Sequence, residues 1–215
     1  MPKFALIGID GSGKTSIIQF LSTVLKEQNN LIRVINLRGL SFRFWSLPFL
    51  LSHRLLGQER WWSEGGKNKR SNHPNLPAKA YMRRRVWEVL FLCDVALLSF
   101  IRGYIWRRRT LILSDRNVTD SVVDLMIALD DKTLNNHLVV RAFLHILKAD
   151  ATVVLDVDEK IAVQRKLGEI IFNEELQTRR QYYLKIAQDR GLTVIDANGS
   201  FESVCKEVYQ HTASM

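Results

Sequence analysis

Short apolar runs alternate with amphipathic stretches along most of this chain. Residues 3–9 (KFALIGI) are an apolar run that enters a glycine-rich loop, which predicts a buried strand. Ile17, Ile18, Leu21, Val24 and Leu25 follow at helical spacing, and the polar string Lys26-Glu27-Gln28-Asn29-Asn30 marks the end of that helix. Residues 31–37 (LIRVINL) predict a second strand. The chain therefore opens with a βαβ unit, and a βαβ unit implies a parallel sheet.

The middle has a different texture. Residues 40–56 are apolar with basic punctuation and Pro48, and 57–79 are polar, with Gly65-Gly66, Pro74 and Pro77. The second of these reads as a mobile, exposed insertion, longer than the roughly 12–15 residues usual for a loop without structure of its own. Residues 80–109 predict one long helix. Its apolar core, 86–101, is interrupted by Glu88 and Asp94, so a buried helix is favoured over a membrane span of about 20 residues. Strands are then expected at 110–114, 151–157 and 192–196, and helices at 120–130, 135–148, across 159–190 and from Ser200 onward. Five strands with intervening helices make a doubly wound α/β domain.

Composition narrows this only a little. The chain has 215 residues, 47% hydrophobic and 25% charged, as in a single globular domain. Two cysteines, Cys93 and Cys205, cannot build a disulfide framework or a Cys-based zinc site, and the five histidines show no ligand spacing. No secretory leader is evident, and the expected setting is cytoplasmic, with peripheral membrane contact left open. Charge adds more. The net charge is +9, and residues 60–85 carry eight Lys/Arg against Glu64 alone. That basic middle, which includes Trp61 and Trp62, is a candidate contact for an anionic surface. A stable nucleic-acid partner is not expected.

The most specific signal is Gly8-Ile9-Asp10-Gly11-Ser12-Gly13-Lys14-Thr15, a full match to G-x-x-x-x-G-K-[ST] between a strand and a helix. Gly8, Gly11 and Gly13 allow the backbone to turn so that successive N–H groups, Ser12 included, face one phosphate. The helix N-terminus, reaching Ser16, adds its positive end. Lys14 is placed to reach the β- and γ-phosphates of ATP, and the Thr15 hydroxyl to ligate Mg²⁺. Asp10 lies within this loop, where a carboxylate is costly unless it serves a substrate hydroxyl, an ammonium or the metal shell. Asp115 and Arg116 stand at a strand's carboxyl end, where open α/β sheets bind ligands. Arg165 and Lys166 lie on an expected lid at 164–174, and an Arg there could neutralise charge on a transferring phosphoryl group.

In this ordered set the chain resembles the thymidylate kinase family of nucleoside monophosphate kinases. Gly8-Ile9-Asp10-Gly11 is similar to the family's phosphate loop, Asp115-Arg116 to its D-R-[YH] motif, and Leu155-Asp156-Val157 with Arg165 to its fourth strand and lid. Arg180-Gln181-Tyr182-Tyr183-Leu184-Lys185-Ile186-Ala187 is similar to its R-x-x-Y-L-x-L-A helix, and Val194-Ile195-Asp196-Ala197 to its last strand. The resemblance implies a three-layer P-loop fold with strand order 2-3-1-4-5, one domain over 1–215, and an ATP- and Mg²⁺-dependent kinase. It implies acceptor binding by Asp10, Arg38 and Arg116, catalytic roles for Lys14, Asp10, Asp115, Arg116 and Arg165, and a metal at Thr15 and Asp115. Asn198 would lie in the loop near adenine, and a homodimer would form through apolar helix 80–106.

The departures fall in the acceptor region. Ile7 replaces the Glu often found before the first loop glycine, only Arg38 is kept from R-E-P-G, and the lid retains only Arg165-Lys166. The base-recognising S-x-x-A-Y-Q is replaced by Asp120-Ser121-Val122-Val123-Asp124-Leu125. The expected acceptor is therefore small and phosphorylated, with dTMP as one reading and a sugar phosphate or lipid head group as the other. A non-catalytic, nucleotide-dependent module docking on membrane or nucleic acid is the rival.

Overall fold

In the computed structural model the described residues are 3–28, 31–36, 111–129, 131–166 and 173–213. The expectations for 40–56, 57–79 and 80–109, for Arg38 and for the centre of the lid lie outside them. Eleven strands and helices are assigned within the described residues: β1 (Lys3–Gly8), α1 (Lys14–Glu27), β2 (Ile32–Asn36), β3 (Leu111–Asp115), α2 (Val118–Leu129), α3 (Leu138–Ile146), β4 (Ala151–Asp156), α4 (Glu159–Arg165), α5 (Asn173–Arg190), β5 (Thr193–Asp196) and α6 (Phe201–Ala213).

The sheet is five-stranded in the order β2-β3-β1-β4-β5, and every pairing is parallel. β1 is the middle strand. Phe4, Ala5, Leu6 and Ile7 are all fully buried, as a strand covered on both faces requires. α1 packs on β1, β2 and β3 and touches α6, which covers β5. Phe20 and Phe201 meet edge to face across those two helices, with centroids 6.2 Å apart. α2 and α5 touch each other and β1, and α5 continues over β4 and β5. The two groups of helices flank the sheet, giving a three-layer α/β/α arrangement. Cys205 is buried and free. Among the described residues no helix is long and apolar enough to cross a membrane.

Several boundaries differ from the expected ones, each for a local reason. β3 runs one residue later than expected and includes Asp115, because that residue pairs in register with Leu6 of β1 and Asn36 of β2. The helix expected at 135–148 is a 3₁₀ turn, Leu134–Asn136, followed by α3, since His137 is extended (φ −62°, ψ 136°). β4 ends at Asp156, two residues before Asp158 caps α4 by accepting from the Lys160 N–H at 2.9 Å.

Register then determines what meets at the carboxyl edge. Leu6 lies opposite Asp115, and Gly8 opposite Leu155. The chain leaves β1 for β2 on one side and returns past β1 to β4 on the other, so the loop after β1 stands at the point where strand order reverses. Gly8, Gly11 and Gly13 there have φ of 145°, 88° and 87°. A Cβ on Gly11 would lie 2.4 Å from the carbonyl oxygen of Ala162 in α4, whereas one on Gly13 would meet nothing nearer than 3.9 Å.

Gly11→Ala and Gly13→Ala should therefore separate two costs. Both impose a left-handed backbone worth about 1–2 kcal/mol, but only Gly11→Ala must also push α4 off the loop. Urea denaturation should show Gly11→Ala to be the less stable of the two. Equal losses would mean that α4 does not press on the loop.

Candidate functional site

The loop between β1 and α1 is organised around Lys14, which is 5% exposed. Its ammonium donates to the carbonyls of Gly8 (2.9 Å) and Ile9 (2.6 Å) and to the Ser12 hydroxyl (3.2 Å). Burial first, and then the nearby Arg116 charge, lower this amine to about 8 against the opposing pull of Asp120, Asp10 and Asp115. The next residue, Thr15, donates its hydroxyl to Asp115 Oδ2 at 2.7 Å. Asp115 is buried, and its Oδ1 has no hydrogen-bond partner among the described residues. A buried carboxylate oxygen without a donor is costly. With the Thr15 hydroxyl on the glycine loop, it fits Mg²⁺, an ion that takes one or two protein oxygens and completes its shell with phosphates and water. Among the described residues no group of three or more His, Cys, Asp or Glu could hold a metal alone.

Arg116 sits just past β3 with φ 77°, the only non-glycine with positive φ among the described residues. That conformation is uncommon for an arginine, and local bonds hold it. Its N–H donates to Leu6 O at 3.2 Å, and the Ser114 hydroxyl donates to its carbonyl. The guanidinium pairs with Asp10 of the loop, not with the neighbouring Asp115. Burial opposes its charge, but Asp120 and then Asp10 outweigh burial and hold the group above its ordinary value.

Gly8, Asp10, Gly11, Ser12, Gly13, Lys14, Thr15, Asp115 and Arg116 are thus one cluster, with Ser16 exposed on the first turn of α1. Two other candidates stand elsewhere. Arg165 donates to the Ala197 carbonyl at 3.0 Å. Asn198 accepts from the Asp158 N–H at 2.8 Å and donates to Asp196 at 2.6 Å. Both tie the end of β5 to the start or end of α4. Arg180 does similar work, binding both oxygens of Asp156 (2.5 and 2.9 Å) and reaching Glu159 at 3.4 Å.

Sequence reasoning missed Asp120, which was noted only as part of a replaced motif. It is 2% exposed. Its Oδ2 accepts from the Asn117 N–H (2.7 Å), while Asn117 Oδ1 accepts from the Thr119 N–H (2.7 Å), a reciprocal cap on α2. Its Oδ1 accepts from the Tyr183 hydroxyl of α5 at 2.7 Å. One turn further along, Asp124 pairs with Arg179, one turn earlier on α5. The Asn117-x-x-Asp120 spacing is the local signal that could have exposed the cap. The two rungs between helices had none, because they join residues 55 and 63 positions apart. No protein-family model matches the chain, and no curated protein matches it by sequence.

Burial pushes Asp120 up to about 6, against the charges of Arg116 and Lys14 and the bonds from Asn117 and Tyr183. A carboxyl raised above its ordinary 3.8 favours the folded state fully below pH 4 and loses that contribution as pH rises through 6. Between pH 4 and 7 the wild type should therefore lose up to about 3 kcal/mol relative to Asp120→Asn. Parallel denaturation series would check this, and a difference constant with pH would refute it.

Proposed function

We propose that this chain is an ATP- and Mg²⁺-dependent phosphotransferase that moves the γ-phosphoryl group of ATP to a small phosphorylated acceptor. The observation that carries the reading is the grouping of Lys14 with the Thr15–Asp115 pair on one glycine loop at the carboxyl edge of the sheet. Loop carbonyls hold the Lys14 ammonium within the loop, and phosphate oxygens are stronger, charge-assisted partners for it. Thr15 and Asp115 would hold Mg²⁺, which would supply charge neutralisation on the phosphates. Arg116, aimed at the loop through Asp10, is the residue for the acceptor's phosphate, which would exchange places with the Asp10 carboxylate. In the conformation described, Arg165 is engaged at Ala197, so a part in neutralising the transferring group requires that bond to break.

One observation favours a non-nucleotide acceptor over dTMP. The resemblance puts base recognition at 120–125, yet Asp120 is taken by Tyr183 and Asn117, and Asp124 by Arg179. Side chains engaged inside the domain cannot read a base without giving up those bonds.

The test is transfer from radiolabelled ATP to a panel of nucleoside monophosphates, phosphorylated sugars and lipid head groups. Steady transfer to any of them supports the enzyme. Tight MgATP binding with transfer to none would replace it with the nucleotide-dependent docking module. Lys14→Ala should lower MgATP affinity by tenfold or more, on the order of a lost charged hydrogen bond, and abolish transfer. Calorimetry showing unchanged MgATP affinity would remove the phosphate-loop assignment. In the same assays, Arg116→Lys should raise the acceptor KM about tenfold with nucleotide affinity nearly intact; an equal loss for both would move Arg116 to the donor side.

A further inference from the structure

Arg116 holds a left-handed backbone (φ 77°), and nothing in an arginine favours that conformation. The bonds that impose it come from both sides. On the strand side these are Leu6 O and the Ser114 hydroxyl. On the helix side, the residue after Arg116 donates its N–H to Asp120 Oδ2, and the Asp120 N–H donates back to the Asn117 carbonyl at 3.1 Å. Asp120 is itself oriented from outside its helix by the Tyr183 hydroxyl. Ionised, it is also the largest favourable charge on the Arg116 guanidinium, ahead of Asp10. Ordinary helix capping accounts for Oδ2 alone. It does not account for a buried tyrosine hydroxyl committed to Oδ1, nor for the second rung from Asp124 to Arg179 that aligns α5 along α2.

We propose that Asp120 is a positioning residue, held by Tyr183, that sets the backbone and guanidinium of Arg116, so that α5 controls the geometry of the anion-gripping arginine. The functional consequence rests on the reading of Arg116 as the acceptor's phosphate ligand, but the positioning claim does not. Asp120 needs to touch neither substrate nor nucleotide. It acts through Asn117 on the chain and through its charge on the guanidinium. The same arrangement makes the middle of α5, at Arg179 and Tyr183, a means of tuning acceptor affinity without touching the phosphate loop.

The experiment uses the full chain labelled with ¹⁵N and follows the side-chain Nε–Hε resonance of Arg116, assigned by its loss in Arg116→Lys. Tyr183→Phe keeps the buried ring and removes one hydroxyl; Asp120→Asn keeps the shape and removes the charge. Both should shift or broaden the Arg116 resonance, and Asp120→Asn more. Inorganic phosphate and dTMP are then titrated against the same samples. The expected result is an Arg116 resonance that responds to an anion in the wild type, with affinity about tenfold weaker in Tyr183→Phe, while MgATP affinity changes less than twofold. If Asp120→Asn fails to fold, Tyr183→Phe alone decides. An Arg116 resonance unmoved by Tyr183→Phe, even with a lowered melting temperature, would reduce Asp120 to a structural cap and overturn the proposal. A resonance that moves in the variants but answers neither anion in the wild type would leave the positioning standing and refute the acceptor role of Arg116.

Discussion

Burying a lysine ammonium at the end of a central strand is the constraint on which the rest of this structure turns. An ammonium out of water is costly unless its environment is polar and of opposite charge. Here the first response is geometric. Three glycines with positive φ fold the loop so that two carbonyls and a hydroxyl reach Lys14. The second response is electrostatic. Asp10, Asp115 and Asp120 surround Lys14 and Arg116, three carboxyls against two cations. Burial lowers the amine and raises Asp120, and the opposite charges limit both shifts, to about 8 for Lys14 and about 6 for Asp120, so that both groups are mostly charged at neutral pH. Each group keeps a charge that it would lose if buried alone.

The sheet makes this convergence possible. In a parallel sheet all carboxyl ends lie along one edge, and at the reversal of strand order two neighbouring loops splay apart. β1, β3 and β4 bring the glycine loop, Asp115-Arg116 and Asp156 to that edge. Helices then fix what the strands deliver. α4 lies over Gly11 through Ala162, Arg180 pins the start of α4 to Asp156, and α5 meets α2 through two polar rungs. Such rigid support suits the proposed phosphoryl transfer, whose chemistry depends on positioning and on charge set in place beforehand.

Much of this was legible in the order of residues. The apolar run Phe4-Ala5-Leu6-Ile7 entering a glycine-rich loop reads as a buried strand, and the glycine spacing around Lys14 marks the loop. These are local statements: apolar periodicity and backbone freedom are properties of adjacent residues. The five parallel strands follow from the same alternation, and their order emerged as the resemblance implied.

What the sequence did not disclose are the pairings across the chain. Arg116 stands beside Asp115 in the chain, yet with its positive φ its guanidinium pairs with Asp10, 106 residues away. The resemblance places Arg165 on the lid and Asn198 near adenine, and in the fold described their side chains bond at the junction of β5 with α4. Asp120 looked like a replaced motif residue, and packing of α5 on α2 made it a buried anchor with Tyr183 as donor. Local sequence determines which segments become strand, loop and helix, because those choices depend on neighbours a few residues apart. Tertiary structure alone decided which charge answers which, because burial strengthens an ion pair only between groups that the completed fold has brought together.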